Sequence, residues 1–224
     1  MALLRRALCL GGASAASALT SSAGLSGMGD SVLGALWGSA IDGHLLSSSA
    51  LTDFRPAADN AVLYLAPSRA PPLSSGEWPA AFASHTVFSL TAWNPMGQDE
   101  ALDVNQKANR ALQRDIGRLQ PPPKATWHSF GFNVGENWRE DGFSIQYAPD
   151  VADQGGREAV LSLARKYRQA AVYEYSCRDG HLERSVVWCC PDKQAAHGGE
   201  PERMEIVSRA PDSELSRVVW SGTP

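Results

Sequence analysis

No acidic residue occurs in the first 29 positions of this chain, and no apolar run approaches the ~20 residues that a membrane-spanning helix requires. A membrane span is therefore not expected. Cysteine is sparse: of the four, Cys9 belongs to the acid-free N-terminus, which leaves Cys177, Cys189 and Cys190 without framework spacing. An odd number so placed excludes a disulfide scaffold and fits a reducing compartment. Nucleophile and nucleotide motifs are missing too, with no G-x-S-x-G elbow, no phosphate-binding P-loop, no G-x-G-x-x-G after a strand and no H-E-x-x-H. Basic density is low. The net charge is -4, and because Arg5 and Arg6 are the only charges before Asp30, the remainder carries -6, which repels a phosphate backbone. Nucleic acid is not an expected partner, and the one cationic cluster, Arg165, Lys166 and Arg168, reads as a solvated helix terminus.

What is present suffices for a packed domain. Hydrophobic residues make up 43% of 224, with 7 Trp, 5 Tyr and 6 Phe, enough apolar surface to offset chain ordering without disulfides. Residues 1–29 are rich in Ala, Ser and Leu, with two arginines, as organelle-targeting leaders are. Mitochondrion or plastid is the expected location; the alternatives are a secretory signal, with the arginines as its basic region, and a cytoplasmic protein with no targeting. Residues 30–53 read as an amphipathic helix or linker, since Val32, Leu33, Leu36, Trp37, Ala40 and Ile41 recur at helical spacing. Residues 54–190 read as one α/β domain, and 191–224 as a C-terminal extension with edge strands at 204–208 and 215–220.

Within the domain, residues 61–65 and 85–93 read as strands, the second rich in β-branched and aromatic residues and stopped by Asn94-Pro95. A helix is predicted over 103–119, with Val104, Ala108, Ala111, Leu112, Ile116 and Leu119 on its apolar face and a capping box from Asp103 to Gln106. Strands at 125–134 and 143–147 flank a polar loop at 135–141. A second helix places Val160, Leu163, Ala164 and Tyr167 on one face, and strands at 171–177 and 182–189 flank Asp179-Gly180, a type I′ hairpin signal that pairs Cys177 with Leu182. This order predicts an α+β fold: a mostly antiparallel sheet with two helices packed on one face, in ferredoxin-like βαββαβ order plus an extra N-terminal strand and a C-terminal hairpin.

Several of these residues carry a resemblance. Thr91-Ala92-Trp93-Asn94-Pro95, Asn105 and Asn109 before Leu112, Trp138-Arg139-Glu140-Asp141-Gly142-Phe143, Ala159, Leu163-Ala164 and Gln169-Ala170-Ala171 resemble a mainly bacterial family, domain of unknown function 3293, over about residues 54–188. Arg139, Gly142 and Ala170 depart from its pattern, which has Pro, Ser and Asn there. The resemblance implies a domain boundary and no reaction.

Asn105 and Asn109 lie four apart on the first helix and border its apolar face. Amides so placed need partners, because an unsatisfied buried polar group costs about 1–3 kcal/mol. Asn94, Glu140 and Gln169 are the partners to expect. Two readings stay open: a polar ligand-binding pocket floored by Trp93 and lined by Asn94, Asn105, Asn109, Glu140 and Gln169, or a set of latches that tie loops to the helix. Glu140 is the carboxylate to nominate as a general acid or base, with Asp141 on the opposite face of an extended chain. His44, His85 and His128 read as surface or satisfied core residues. No cofactor or metal is expected, since Cys189-Cys190 would need Cys177, His181 or His197 brought to it. The expected role is a binding module for a small molecule or a protein partner; an enzyme using Glu140 and a structural partner subunit are the alternatives.

Overall fold

The computed structural model describes residues 40–46, 62–68, 78–95, 100–189, 200–207 and 212–217. The leader and most of the helical stretch expected at 30–53 lie outside these residues. Among the described residues are eight strands: β1 (Ile41–Leu45), β2 (Val62–Pro67), β3 (Thr86–Leu90), β4 (Ala125–Asn133), β5 (Trp138–Tyr147), β6 (Ala171–Arg178), β7 (His181–Trp188) and β8 (Glu202–Ile206). Among the described residues three α-helices of four or more residues join them, α1 (Ala80–Ala83), α2 (Leu102–Ile116) and α3 (Arg157–Lys166), the last preceded by a short α-helical turn, Pro149–Val151, and a π-helical turn, Ala152–Gly156.

The strands form a closed antiparallel barrel in the order β1-β2-β8-β7-β6-β3-β5-β4, which overturns the expected α+β sheet of ferredoxin-like order. Two strands are responsible. β1 pairs with β2 and with β4, and β8 pairs with β2 and with β7, so both ends of the sheet are sealed. Ile41, expected on a helical face, opens β1; β8, expected at an edge, lies inside the sheet. Beyond it, Glu214–Ser216 is a 3-10 turn where an edge strand was expected. The polar loop expected at 135–141 is mostly strand, because β5 already begins at Trp138 and pairs along its length with β4.

Local signals hold elsewhere. Asp179 and Gly180 both have positive φ, 49° and 77°, and the two-residue turn pairs Cys177 with Leu182. In α2 the buried face is Asn105, Asn109, Leu112 and Ile116, while Val104, expected inside, is 46% exposed. The helix starts at Leu102 with no side-chain cap, so the capping box from Asp103 does not form.

Both long helices cover the same outer wall of the barrel. Leu112 and Ile116 of α2 and Val160, Leu163 and Ala164 of α3 pack on Phe88, Leu90, Phe143, Ile145, Val172 and Val187. Each large side chain so buried contributes about 1.5–3 kcal/mol. Inside, Leu63, Leu65, Val87, Tyr175, Leu182 and Met204 pack with Phe82 of α1 and fill one part of the lumen. The rest of the lumen carries polar side chains among apolar ones.

Candidate functional site

Residues alternate between the two faces of a strand, and in this barrel polar side chains fall on the inward face of several strands. Asp42 and His44 of β1, Ser89 of β3, Ser129 and Gly131 of β4, Trp138 and Glu140 of β5, and Tyr173 of β6 line a cavity of about 90 Å³, joined by Gln169 from the turn after α3. That volume is several times the roughly 10–15 Å³ that one water requires. Register sets the floor: Gly131 pairs with Asp42 on one side and with Glu140 on the other, so a residue without a side chain separates two carboxylates. A Cβ at Gly131 would lie 3.6 Å from Asp42 Oδ1 and 3.6 Å from the Trp138 ring, ordinary contacts inside the cavity.

Arg184 anchors the charged part. Its guanidinium donates to Asp42 Oδ2 at 2.5 Å, to Glu202 Oε2 at 3.1 and 2.7 Å and to the Ala40 carbonyl at 3.1 Å, and lies 4.6 Å from the centre of the Tyr173 ring. Burial pushes the Asp42 carboxyl above its ordinary range, against the pull of Arg184. Burial likewise raises the Tyr173 and Tyr175 hydroxyls, so both stay protonated.

Hydrogen bonding fixes the His44 tautomer. Trp127 Nε1 can only donate, and it lies 3.2 Å from His44 Nδ1, so Nδ1 accepts and the ring proton resides on Nε2. Ser144 Oγ is 3.2 Å from the same nitrogen, and Ser89 Oγ is 2.7 Å from Ser144 Oγ. The chain from Ser89 through Ser144 to His44 has the form of a nucleophile relay. It lacks the base, because burial and the nearby Arg184 hold His44 down to about 3. The imidazole is neutral, with Nε2 presented as a buried donor that has no protein partner.

The residues singled out in the sequence form one network. Asn94 and Asn105 exchange hydrogen bonds: Asn94 N donates to Asn105 Oδ1 and Asn105 Nδ2 to Asn94 Oδ1, each at 2.9 Å. Asn109 Oδ1 accepts from Ala92 N at 2.9 Å, and its Nδ2 donates to the Asp141 carbonyl at 2.7 Å. Asn94, at φ 44°, donates from Nδ2 to Glu140 Oε1 at 3.4 Å. Gln169 Nε2 donates to the carbonyls of Trp93 at 3.1 Å and Tyr167 at 3.3 Å. Of the six, Glu140 and Gln169 line the cavity. Asn94, Asn105 and Asn109 are engaged in ties between α2, the segment after β3 and β5, and half-buried Trp93 contributes its carbonyl and no floor. Asp141 faces outward, paired with Arg139 at 2.7 Å.

Asp42, His44, Tyr173 and Arg184 were not found from the sequence as site residues. Their signal was period-two alternation, Ile41-Asp42-Gly43-His44-Leu45, with the polar members inside rather than outside. Among the described residues no group of three or more His, Cys, Asp or Glu could hold a metal, and no helix is long and apolar enough to cross a membrane.

Residues 90–172 match the sequence pattern of a family described as "Protein of unknown function (DUF3293)", a stretch that runs from the end of β3 to the start of β6 and contains α2, Glu140 and Gln169. No curated protein and no solved structure matches the chain.

Proposed function

We propose, for a chain whose residues 90–172 belong to that family, that the barrel lumen binds a small polar organic molecule. One observation carries this reading: Gln169 Oε1, His44 Nε2 and Trp138 Nε1 are buried polar atoms without protein partners, and all three belong to residues that line the cavity. Each such atom costs about 1–3 kcal/mol unless something in the lumen pairs with it. A dry apolar filling would leave that cost in place; a polar ligand, or water that a ligand displaces, removes it.

An enzyme is the second reading, favoured by Glu140 and Asp42 facing each other across Gly131. A single positioned carboxylate contributes about 10²–10⁴ in rate. Both readings are tested by a binding screen of small polar fragments, followed by a turnover assay on the hits. Hits are expected to shift wild-type melting and to be lost in Gly131→Val, which fills the lumen. Hits that bind Gly131→Val equally would remove the lumen as the site. Turnover that survives in Glu140→Gln would remove Glu140 as the catalytic group; no turnover of any hit by wild type would remove the enzyme reading and leave binding intact.

A further inference from the structure

The buried polar atoms of the cavity-lining residues that lack a protein partner differ in what they demand. Trp138 Nε1 is an indole N–H and can only donate. His44 Nε2 donates as well, because Nδ1 accepts from Trp127 Nε1. Gln169 Oε1 can only accept: Nε2 donates to the carbonyls of Trp93 and Tyr167, which identifies it as the nitrogen, and the residue is 2% exposed. An occupant that satisfies all of them offers two acceptors and one donor.

Strand register spaces these demands along the lumen. Trp138 packs on Ala170, the residue after Gln169, so a donor and an acceptor stand together at one end. The Gln169 amide is held there, since Arg168 at φ 55° and the Gln169 N–H bond to the Ala164 carbonyl at 2.8 Å close α3 in a Schellman-type turn. His44 stands at the other end. It pairs with Ser129, which pairs with Gly142, four residues beyond Trp138 on the same face of β5 and so roughly 13 Å along the strand. His44 Nδ1 is turned toward Ser144 and Trp127, farther still from Trp138, and the Phe82 ring lies 5.1 Å from the imidazole at that end.

Charge narrows the class. Among the described residues no lysine or arginine lines the cavity, whereas Asp42 and Glu140 do; Arg184 is held by Asp42, Glu202 and the Ala40 carbonyl. An anion would surrender its hydration with no cation to replace it. His44 supplies none, because burial and Arg184 keep it neutral. An ammonium has no acceptor for the indole or the imidazole N–H. A carboxamide carries a carbonyl oxygen and an N–H side by side on one rigid plane, without net charge.

We infer that the occupant is a neutral amide whose N–H donates to Gln169 Oε1 and whose carbonyl accepts from Trp138 Nε1, with a second acceptor oxygen farther along the molecule for His44 Nε2, an inference that rests on the lumen-binding reading above.

The test uses probes of one size on the full chain: propionamide, butanone, n-butanol, propionate and n-butylamine, the last protonated at neutral pH. The Trp138 indole N–H is followed by NMR at constant ionic strength, its resonance assigned with Trp138→Phe. Propionamide is expected to shift it saturably and to bind at least about fivefold more tightly than butanone, which leaves Gln169 Oε1 unpaired. Propionate and butylammonium should bind more weakly than either. In a homologous series of keto-amides, one member should bind about fivefold more tightly than the simple amide of equal length, a gain absent in His44→Phe. Any of the other small probes binding as well as propionamide, with loss in Gly131→Val, overturns the amide class and leaves the lumen reading standing. No gain along the keto-amide series overturns the contact to His44. No saturable shift with any probe, or shifts identical in Gly131→Val, overturns both the amide and the lumen.

Discussion

His44 carries the clearest pH signature of any side chain in the barrel. In the folded protein burial, and then the nearby Arg184, hold it down to about 3; in the unfolded chain it returns to the ordinary imidazole value of 6.5. Between those values the unfolded chain takes up a proton that the folded one refuses, so stability is complete above about 6.5 and falls as the pH drops toward 3, by up to ~1.4 kcal/mol per pH unit. His85 and His128 are lowered by burial and act in the same direction. Asp42 is raised, so the folded state takes up its proton first and offsets part of the loss at the acid end. Urea unfolding measured between pH 7 and pH 4 should show a shallower slope in His44→Gln than in wild type. An unchanged slope would mean that His44 is not the group refusing the proton.

At the scale of the element, α2 is positioned by two amides as much as by its leucine and isoleucine. Asn109 satisfies the Ala92 N–H, which is buried between helix and barrel, while the Asp141 carbonyl that it also contacts keeps a second donor in Thr91 Oγ1 at 2.6 Å. Replacing Asn109 by Leu therefore strands one buried donor, and a loss of about 1–3 kcal/mol is expected in chemical denaturation. A variant within about half a kcal/mol of wild type would show that α2 is held by packing alone. Here the sequence was informative in one way and misleading in another. The spacing of Asn105, Asn109, Leu112 and Ile116 was legible as one stripe. Taking Val104 as its apolar start turned the helix the wrong way, because hydropathy cannot show that an amide faces inward when its partners come from β3 and β5.

For the molecule as a whole, closure of the barrel brings a charge from β7 against β1 and β8. Arg184 spans them through Asp42, Ala40 and Glu202. Removing one partner of a buried pair leaves the other uncompensated, so Arg184→Met should cost about 3–5 kcal/mol, and adding Asp42→Asn to it should restore part of that loss. A double variant no more stable than Arg184→Met would show that Asp42 carries no stranded charge. The same closure produces the cavity, since Asp42, Gly131 and Glu140 become neighbours only when β1 pairs with β4.

The sequence by itself determined the local structure that short-range chemistry dictates. Asp179-Gly180 adopts the positive φ that a two-residue hairpin needs, β3 ends before Asn94-Pro95, and α2 and α3 follow their helical spacing. It also named Glu140 and Gln169, which reach the lumen. Tertiary structure decided the rest. In β1, at the start of β5 and in β8, polar residues face inward or mix with apolar ones, so these segments lack the inward-apolar pattern by which a strand is recognised, and they read as helix, loop and edge. Only their pairing converts an open sheet into a barrel, and only the barrel gathers Asp42, His44, Glu140, Gln169 and Tyr173, separated by up to 131 positions in the chain, around one cavity.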